Sequence, residues 1–125
     1  MSLNFKLQEE IKMPFINTKY SASITAEQEN TIKTALGQAV TVLGKSESWL
    51  MLGFEQNCSL YFRGEKSDKI AFAEVSLYGN ASSDACNRMT AEICRIYGEV
   101  LGVPSDKVYV KYSPTSEWGW NGGNF

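Results

Sequence analysis

Residues 25–44 read TAEQENTIKTALGQAVTVLG, and this stretch decides how the rest of the chain is organised. Thr25, Ala26, Glu27 and Gln28 fit a capping box, in which the Thr hydroxyl and the Gln side chain satisfy each other's backbone N–H groups. Ile32, Ala35, Leu36, Ala39, Val40 and Leu43 then recur at steps of three and four, one apolar stripe along a helix. Gly44 suits the left-handed position that ends it. The flanking segments, Pro14 to Tyr20 and Ser48 to Phe54, read as strands. The unit is strand, helix, strand.

The same unit occurs again. A second helix is expected from Ser82 or Ser83, with Cys86, Met89, Ile93, Ile96, Tyr97 and Val100 as its stripe. Gly102 and Pro104 close it. Ile70 to Tyr78 and Lys107 to Tyr112 flank it as strands. The joints match too: Gly44-Lys45-Ser46-Glu47 leaves the first helix much as Gly102-Val103-Pro104-Ser105 leaves the second. Each unit is a right-handed crossover with parallel strands. Two units predict an α/β (α+β) fold: a four-stranded mixed sheet with both helices on one face. Short pieces near Leu60-Tyr61-Phe62 and from Trp118 to Phe125 could add edge strands. Trp49, Leu50, Met51, Leu52, Val108, Tyr109 and Val110 are too apolar for both sheet faces to be wet, which predicts self-association.

Bulk properties narrow the function. The 125 residues suit one domain, and a net charge of −2 with interspersed signs argues against a nucleic-acid partner. No apolar run is long enough to span a bilayer. Met1 to Met13 carries Glu9, Glu10 and two lysines and lacks the apolar core of a signal peptide, so the expected setting is cytoplasmic. The chain has no histidine, which removes His-dependent nucleophile pairs and the usual zinc sites. An acid or base working near neutral pH must be a perturbed carboxylate, a Cys, a Lys, a Tyr or an N-terminal amine. Cys58, Cys86 and Cys94 are odd in number and include no C-x-x-C, so reduced, mostly buried thiols are expected. Residues 1–13 lie outside the repeat as an N-terminal extension, and 14–125 form the domain.

Met13-Pro14-Phe15-Ile16-Asn17-Thr18 resembles the start of macrophage migration inhibitory factor homologues, and other stretches follow in order. Leu43-Gly44-Lys45 falls at that family's Gly-Lys, Trp49 at an aromatic, Leu60-Tyr61-Phe62 at Met-x-Phe, and Leu77 at a strand-end Ile. Asp106-Lys107-Val108-Tyr109-Val110 is similar to Asp-Arg-Val-Tyr-Ile, and Gly119-Trp120-Asn121-Gly122-Gly123-Asn124-Phe125 to Gly-Trp-Asn-Gly-x-x-Phe. The resemblance implies a cofactor-free homotrimer with sites between subunits. The implied activity is keto–enol tautomerisation of phenylpyruvate-like α-keto acids by the amine of an N-terminal proline. Carried over, Pro14 is that base, and Lys45 and the backbone of Leu77 hold the substrate's carboxylate or oxygen. Tyr109 arrives from a neighbouring subunit, Trp118, Trp120 and Phe125 wall the pocket, and Trp49 stands at its rim.

The chemistry is coherent. Burial and a nearby Lys45 ammonium both disfavour a protonated proline amine and bring its pKa towards neutrality. The same ammonium attracts a carboxylate. Each residue also has a plainer reading: Pro14 as a strand opener, Lys45 as a charge at a helix C-terminus, Tyr109 as strand filling, and the aromatic ending as a hairpin around Asn121-Gly122. Three positions depart from the family. Pro14 is internal, and its amide nitrogen has no usable lone pair. Translation from Met13 followed by Met removal would free it. Lys111 replaces a common Asn and would favour acidic substrates if it points inward. Lys69-Ile70-Ala71-Phe72 stands at the relatives' C-x-x-C, leaving no thiol redox motif. The competing expectation is a catalytically silent trimer that binds a protein partner.

Overall fold

A computed structural model describes residues 13–124. Its central sheet has four strands in the order β2-β1-β5-β6. The first unit comprises β1 (Pro14–Tyr20), helix α1 (Ala26–Ala39) and β2 (Met51–Glu55); the second comprises β5 (Ala71–Tyr78), α2 (Ser83–Leu101) and β6 (Val108–Thr115). Within each unit the strands are parallel, and β1 joins β5 antiparallel with Pro14 opposite Leu77 and Tyr20 opposite Ala71. The expected mixed sheet of two crossovers is therefore the architecture, and both helices pack against one face of it.

The local signals act as read. Thr25 and Gln28 form the reciprocal capping box of α1, and Ser82 caps α2 by accepting from the Ala85 N–H. Gly44 (φ 73°) and Gly102 (φ 70°) end the helical segments in the left-handed region, where a side chain would be strained. The α-helix of the first unit stops at Ala39, and Val40–Leu43 tightens into a 3-10 turn before Gly44. The likeness of the two helix exits extends further than their composition: each runs into a three-residue 3-10 turn, Glu47–Trp49 and Ser105–Lys107.

Four expectations need correction. β2 begins at Met51 rather than Ser48, because the Ser46 side chain accepts from the Ser48 N–H and winds residues 47–49 into a turn. The two short pieces do not extend the sheet. Tyr61–Phe62 (β3) pairs with Glu65–Lys66 (β4), and Gly119–Trp120 (β7) pairs with Gly123–Asn124 (β8), each as its own hairpin. The apolar surplus is smaller than its sequence suggests. Leu50, Leu52 and Val110 pack against the core that contains Val108, so only Met51 and Tyr109 of that set emerge on the open face. That face alternates out of β1, β2, β5 and β6 as Phe15, Asn17, Lys19, Glu55, Phe72, Glu74 and Lys111, a mixed rather than an apolar surface. Finally, all three cysteines are half-buried rather than mostly buried.

The core lies between the helices and the inner face of the sheet. Ile32, Val40, Met89, Ile93 and Tyr97 are fully enclosed. The Tyr97 hydroxyl sits 2.6 Å from Thr18 Oγ1 and its ring packs edge-on to Tyr20 with centroids 5.1 Å apart. Burial pushes the Tyr97 phenol above its ordinary pKa. It does the same at Tyr112, and at Tyr20, where the charge of an ionised Tyr97 adds to it. On the open face, a hydrogen bond from Asn17 and then the Lys19 ammonium hold the Glu55 carboxyl below its usual value.

Replacing Ile93 by Ala should cost about 2–5 kcal/mol of stability, since the site is walled on all sides and cannot collapse; urea denaturation measures it. The three raised tyrosines also set a pH dependence. Their folded-state pKa lies above the unfolded value, so their contribution is complete below about pH 10 and is lost as pH rises from there. The urea midpoint should fall between about pH 8 and about pH 10.5, and Tyr97→Phe should shrink that fall.

Candidate active site

Five pieces of chain converge at one end of the sheet. Pro14 opens β1 and lies opposite Leu77 near the end of β5. The next pair outward is tied by a hydrogen bond from the Tyr78 N–H to the Met13 carbonyl (3.2 Å). Lys45 follows the left-handed Gly44 and turns inward. It is only 5% exposed, and its Nζ donates to the Tyr78 carbonyl at 3.1 Å. One residue, Tyr78, thus meets the chain just before Pro14 with its N–H and the Lys45 ammonium with its carbonyl.

Aromatic groups complete the surroundings. The 3-10 turn at residues 47–49 presents Trp49, held by Trp49 N–H to Ser46 carbonyl and Leu50 N–H to Glu47 carbonyl bonds. The C-terminal hairpin presents Trp120. The two indoles pack edge to face with centroids 4.8 Å apart and planes at 85°. Trp118 approaches the Tyr78 ring at 6.5 Å. The hairpin reverses through Asn121 (φ 52°) and Gly122 (φ 86°), the pair expected to make a tight turn.

Between these parts lies a cleft of about 620 Å³, lined by Met13, Pro14, Phe15, Ser48, Trp49, Leu50, Met51, Glu117, Trp118, Gly119 and Trp120. The size is ordinary for a small-molecule site. All three tryptophans of the chain line it. A larger groove, about 800 Å³, runs between α1 and β2, but its wall of Glu29, Lys33, Glu47, Leu52 and Phe54 contains none of the candidate residues.

Of the residues singled out from sequence, Pro14, Trp49, Trp118 and Trp120 share the cleft, and Lys45 is held at the Tyr78 carbonyl without lining the cleft. Leu77 is buried in the core. Neighbouring residues of an antiparallel ladder turn their N–H groups to opposite sides. The Tyr78 N–H faces β1, so the Leu77 N–H is directed at β6, and the backbone donor beside Pro14 is that of Tyr78. Tyr109 is 65% exposed, packs on Phe62 at 5.5 Å, and stands in register with Phe72 and Lys19. That is five residues along the sheet from Pro14, about 17 Å at strand rise. Lys111 is exposed on the same open face, three residues from the Pro14 row. Phe125 lies outside the described residues, as do 1–12. Sequence reasoning missed Ser48, Glu117 and Tyr78. Glu117 carried a signal in its place beside the Trp118-Gly119-Trp120 run; the role of the Tyr78 backbone had none.

The Pro14 nitrogen belongs to the Met13–Pro14 peptide, and Met13 is 3% exposed. The nitrogen is therefore a planar amide with its lone pair delocalised. If the chain began at Pro14, the carbonyl now accepting from Tyr78 would be absent and that N–H would face the cleft. Among the described residues, no three Cys, Asp or Glu side chains gather closely enough to hold a metal, and no helix is long and apolar enough to cross a membrane.

The sequence model of the macrophage migration inhibitory factor family matches residues 13–125. The chain is similar to the solved structure of Leishmania major MIF2, with 30% identity and a TM-score of 0.83, covering 91% of this chain and 98% of that one. The macrophage migration inhibitory factor-like protein of Entamoeba histolytica shares 20% identity at a TM-score of 0.82, covering 90% and 99%. The macrophage migration inhibitory factor of Toxoplasma gondii shares 23% at 0.80, covering 89% and 99%. No curated protein matches the sequence.

Gly122→Val should strain the hairpin by about 1–2 kcal/mol, because an L residue is disfavoured at positive φ. The loss should be local: near-UV circular dichroism from the Trp49–Trp120 pair weakens while far-UV helix signal is unchanged.

Proposed function

The chain belongs to the macrophage migration inhibitory factor family, and from that premise we propose that it is a tautomerase of phenylpyruvate-like α-keto acids whose base is the amine of Pro14, freed by loss of residues 1–13. The observation that carries this reading is the position of Pro14: it opens β1 in a tryptophan-walled cleft, beside a backbone N–H and a buried ammonium.

In the proposed reaction the free amine takes a proton from the carbon next to the keto group, and the prolinium so formed gives that proton to the keto oxygen, yielding the enol and the neutral amine. The reverse transfers restore the ketone. The Lys45 ammonium disfavours a second positive charge on the proline and lowers its pKa, so that the amine can accept. The same ammonium and the released Tyr78 N–H attract the substrate's carboxylate or keto oxygen. The indoles hold the substrate's ring and exclude water, which strengthens those attractions. Tyr109 is too far along its own sheet to serve this cleft, and in the proposal it comes from a neighbouring subunit of a homotrimer. A fused 4-OT of the same fold, 12% identical with a TM-score of 0.77 over 88% of this chain and 94% of that one, is a trimer. Phe125 would close the aromatic wall. No cofactor takes part. A cytoplasmic setting, where the three thiols stay reduced, fits this reading.

One observation favours a second reading. With residues 1–13 in place the Pro14 nitrogen is an amide and Met13 forms part of the cleft wall, so that form would be a binding protein without tautomerase activity.

Protein beginning at Pro14 should ketonise enol-phenylpyruvate, and protein retaining residues 1–13 should be slower by a factor of at least about 100, as expected when a general base is lost. Activity in neither form would favour the binding protein. Intact mass of the native protein decides which form exists. In the active form, Lys45→Ala should raise KM for phenylpyruvate more than it lowers kcat; unchanged kinetics would exclude Lys45.

A further inference from the structure

Glu117 is among the residues that line the cleft, and nothing in the proposed reaction uses it. It is the one ionisable side chain among the described residues that line the cleft. Lys45, by contrast, is turned to the Tyr78 carbonyl and lines no part of it. Thr115 fixes the Glu117 backbone: its hydroxyl accepts from the Glu117 N–H at 3.1 Å and donates to the Glu117 carbonyl at 3.4 Å. Glu117 is thereby held at the joint where β6 gives way to the hairpin, next to Trp118, and it lines the same cavity as Trp49 and Trp120.

An indole face attracts a cation through its quadrupole, and a carboxylate beside it adds a full charge of the same preference. Such a wall repels a second anion. We propose that Glu117, with Trp49 and Trp120, forms a subsite for a positively charged group. The ligand of this cleft then carries an ammonium besides its α-keto acid group, and dicarboxylates are disfavoured. The inference deepens the tautomerase reading and rests on it only for the α-keto acid end of the ligand.

Because every tryptophan lines this cleft, tryptophan emission reports on its occupancy. The full chain is titrated at low salt with three phenylpyruvates bearing a 4-aminomethyl group, no substituent or a 4-carboxyl group. The aminomethyl compound should bind about tenfold more tightly than the carboxyl compound, the size expected for one partly exposed charge. Glu117→Gln should reduce that gap to less than about threefold, and high salt should shrink it. Glu117→Asp, which keeps the charge, should preserve the order. Equal affinities in the parent protein, no quenching by any of the three, or a gap that survives Glu117→Gln would overturn the subsite. Ranked binding without turnover by the form beginning at Pro14 sinks the tautomerase reading alone; turnover without ranking sinks the subsite alone.

Discussion

The antiparallel seam between β1 and β5 is the constraint on which the rest depends. Each βαβ unit could bury the inner face of only two strands under a single helix. The seam joins the units so that α1 and α2 cover one continuous surface, with Ile16, Val75 and Leu77 beneath Ile32, Met89 and Ile93. Because the strands run in opposite directions, the start of one meets the end of the other. That brings Pro14 to Leu77 and Tyr78, residues more than sixty positions away. A slip of one residue would turn the apolar row of β1 out of the core and move Pro14 away from the cleft.

The cleft inherits its electrostatics from that geometry. A positive charge is buried at Lys45, bound to the Tyr78 carbonyl, and Glu117 is the ionisable residue of the described lining. The rest of that lining includes three indoles and few polar groups. An elongated ligand with an anion at one end and a cation at the other would complement both. The chemistry of Pro14 is a separate matter, since a planar amide at that nitrogen leaves the surroundings of the base intact while removing the base itself.

Local signals were legible wherever the backbone's own needs dictate residue type. The capping box at Thr25 and Gln28, the glycines at 44 and 102, and the Asn121-Gly122 turn each answer a conformational demand within a few residues, and each appears where expected. The apolar run around Leu50, Leu52 and Val110 misled because composition does not say which face a side chain takes. Strand alternation sent most of it to the core and left a mixed, partly charged open face. The short segments near residues 60–62 and 118–125 read as sheet edges, and for the second also as a hairpin, but each forms a hairpin of its own, since a strand's partner is a long-range choice.

By itself, then, the sequence determined the two repeated units, their caps and turns, and the residue types able to do chemistry in a chain without histidine. These follow from interactions among neighbours along the backbone. The tertiary structure alone decided that Tyr78 rather than Leu77 offers its N–H beside Pro14, that Lys45 is buried against the Tyr78 carbonyl, that Glu117 lines the cleft, and that Tyr109 stands at the far end of its own sheet. Those outcomes depend on register and strand direction, which are fixed only when distant segments pair and bury their apolar faces together.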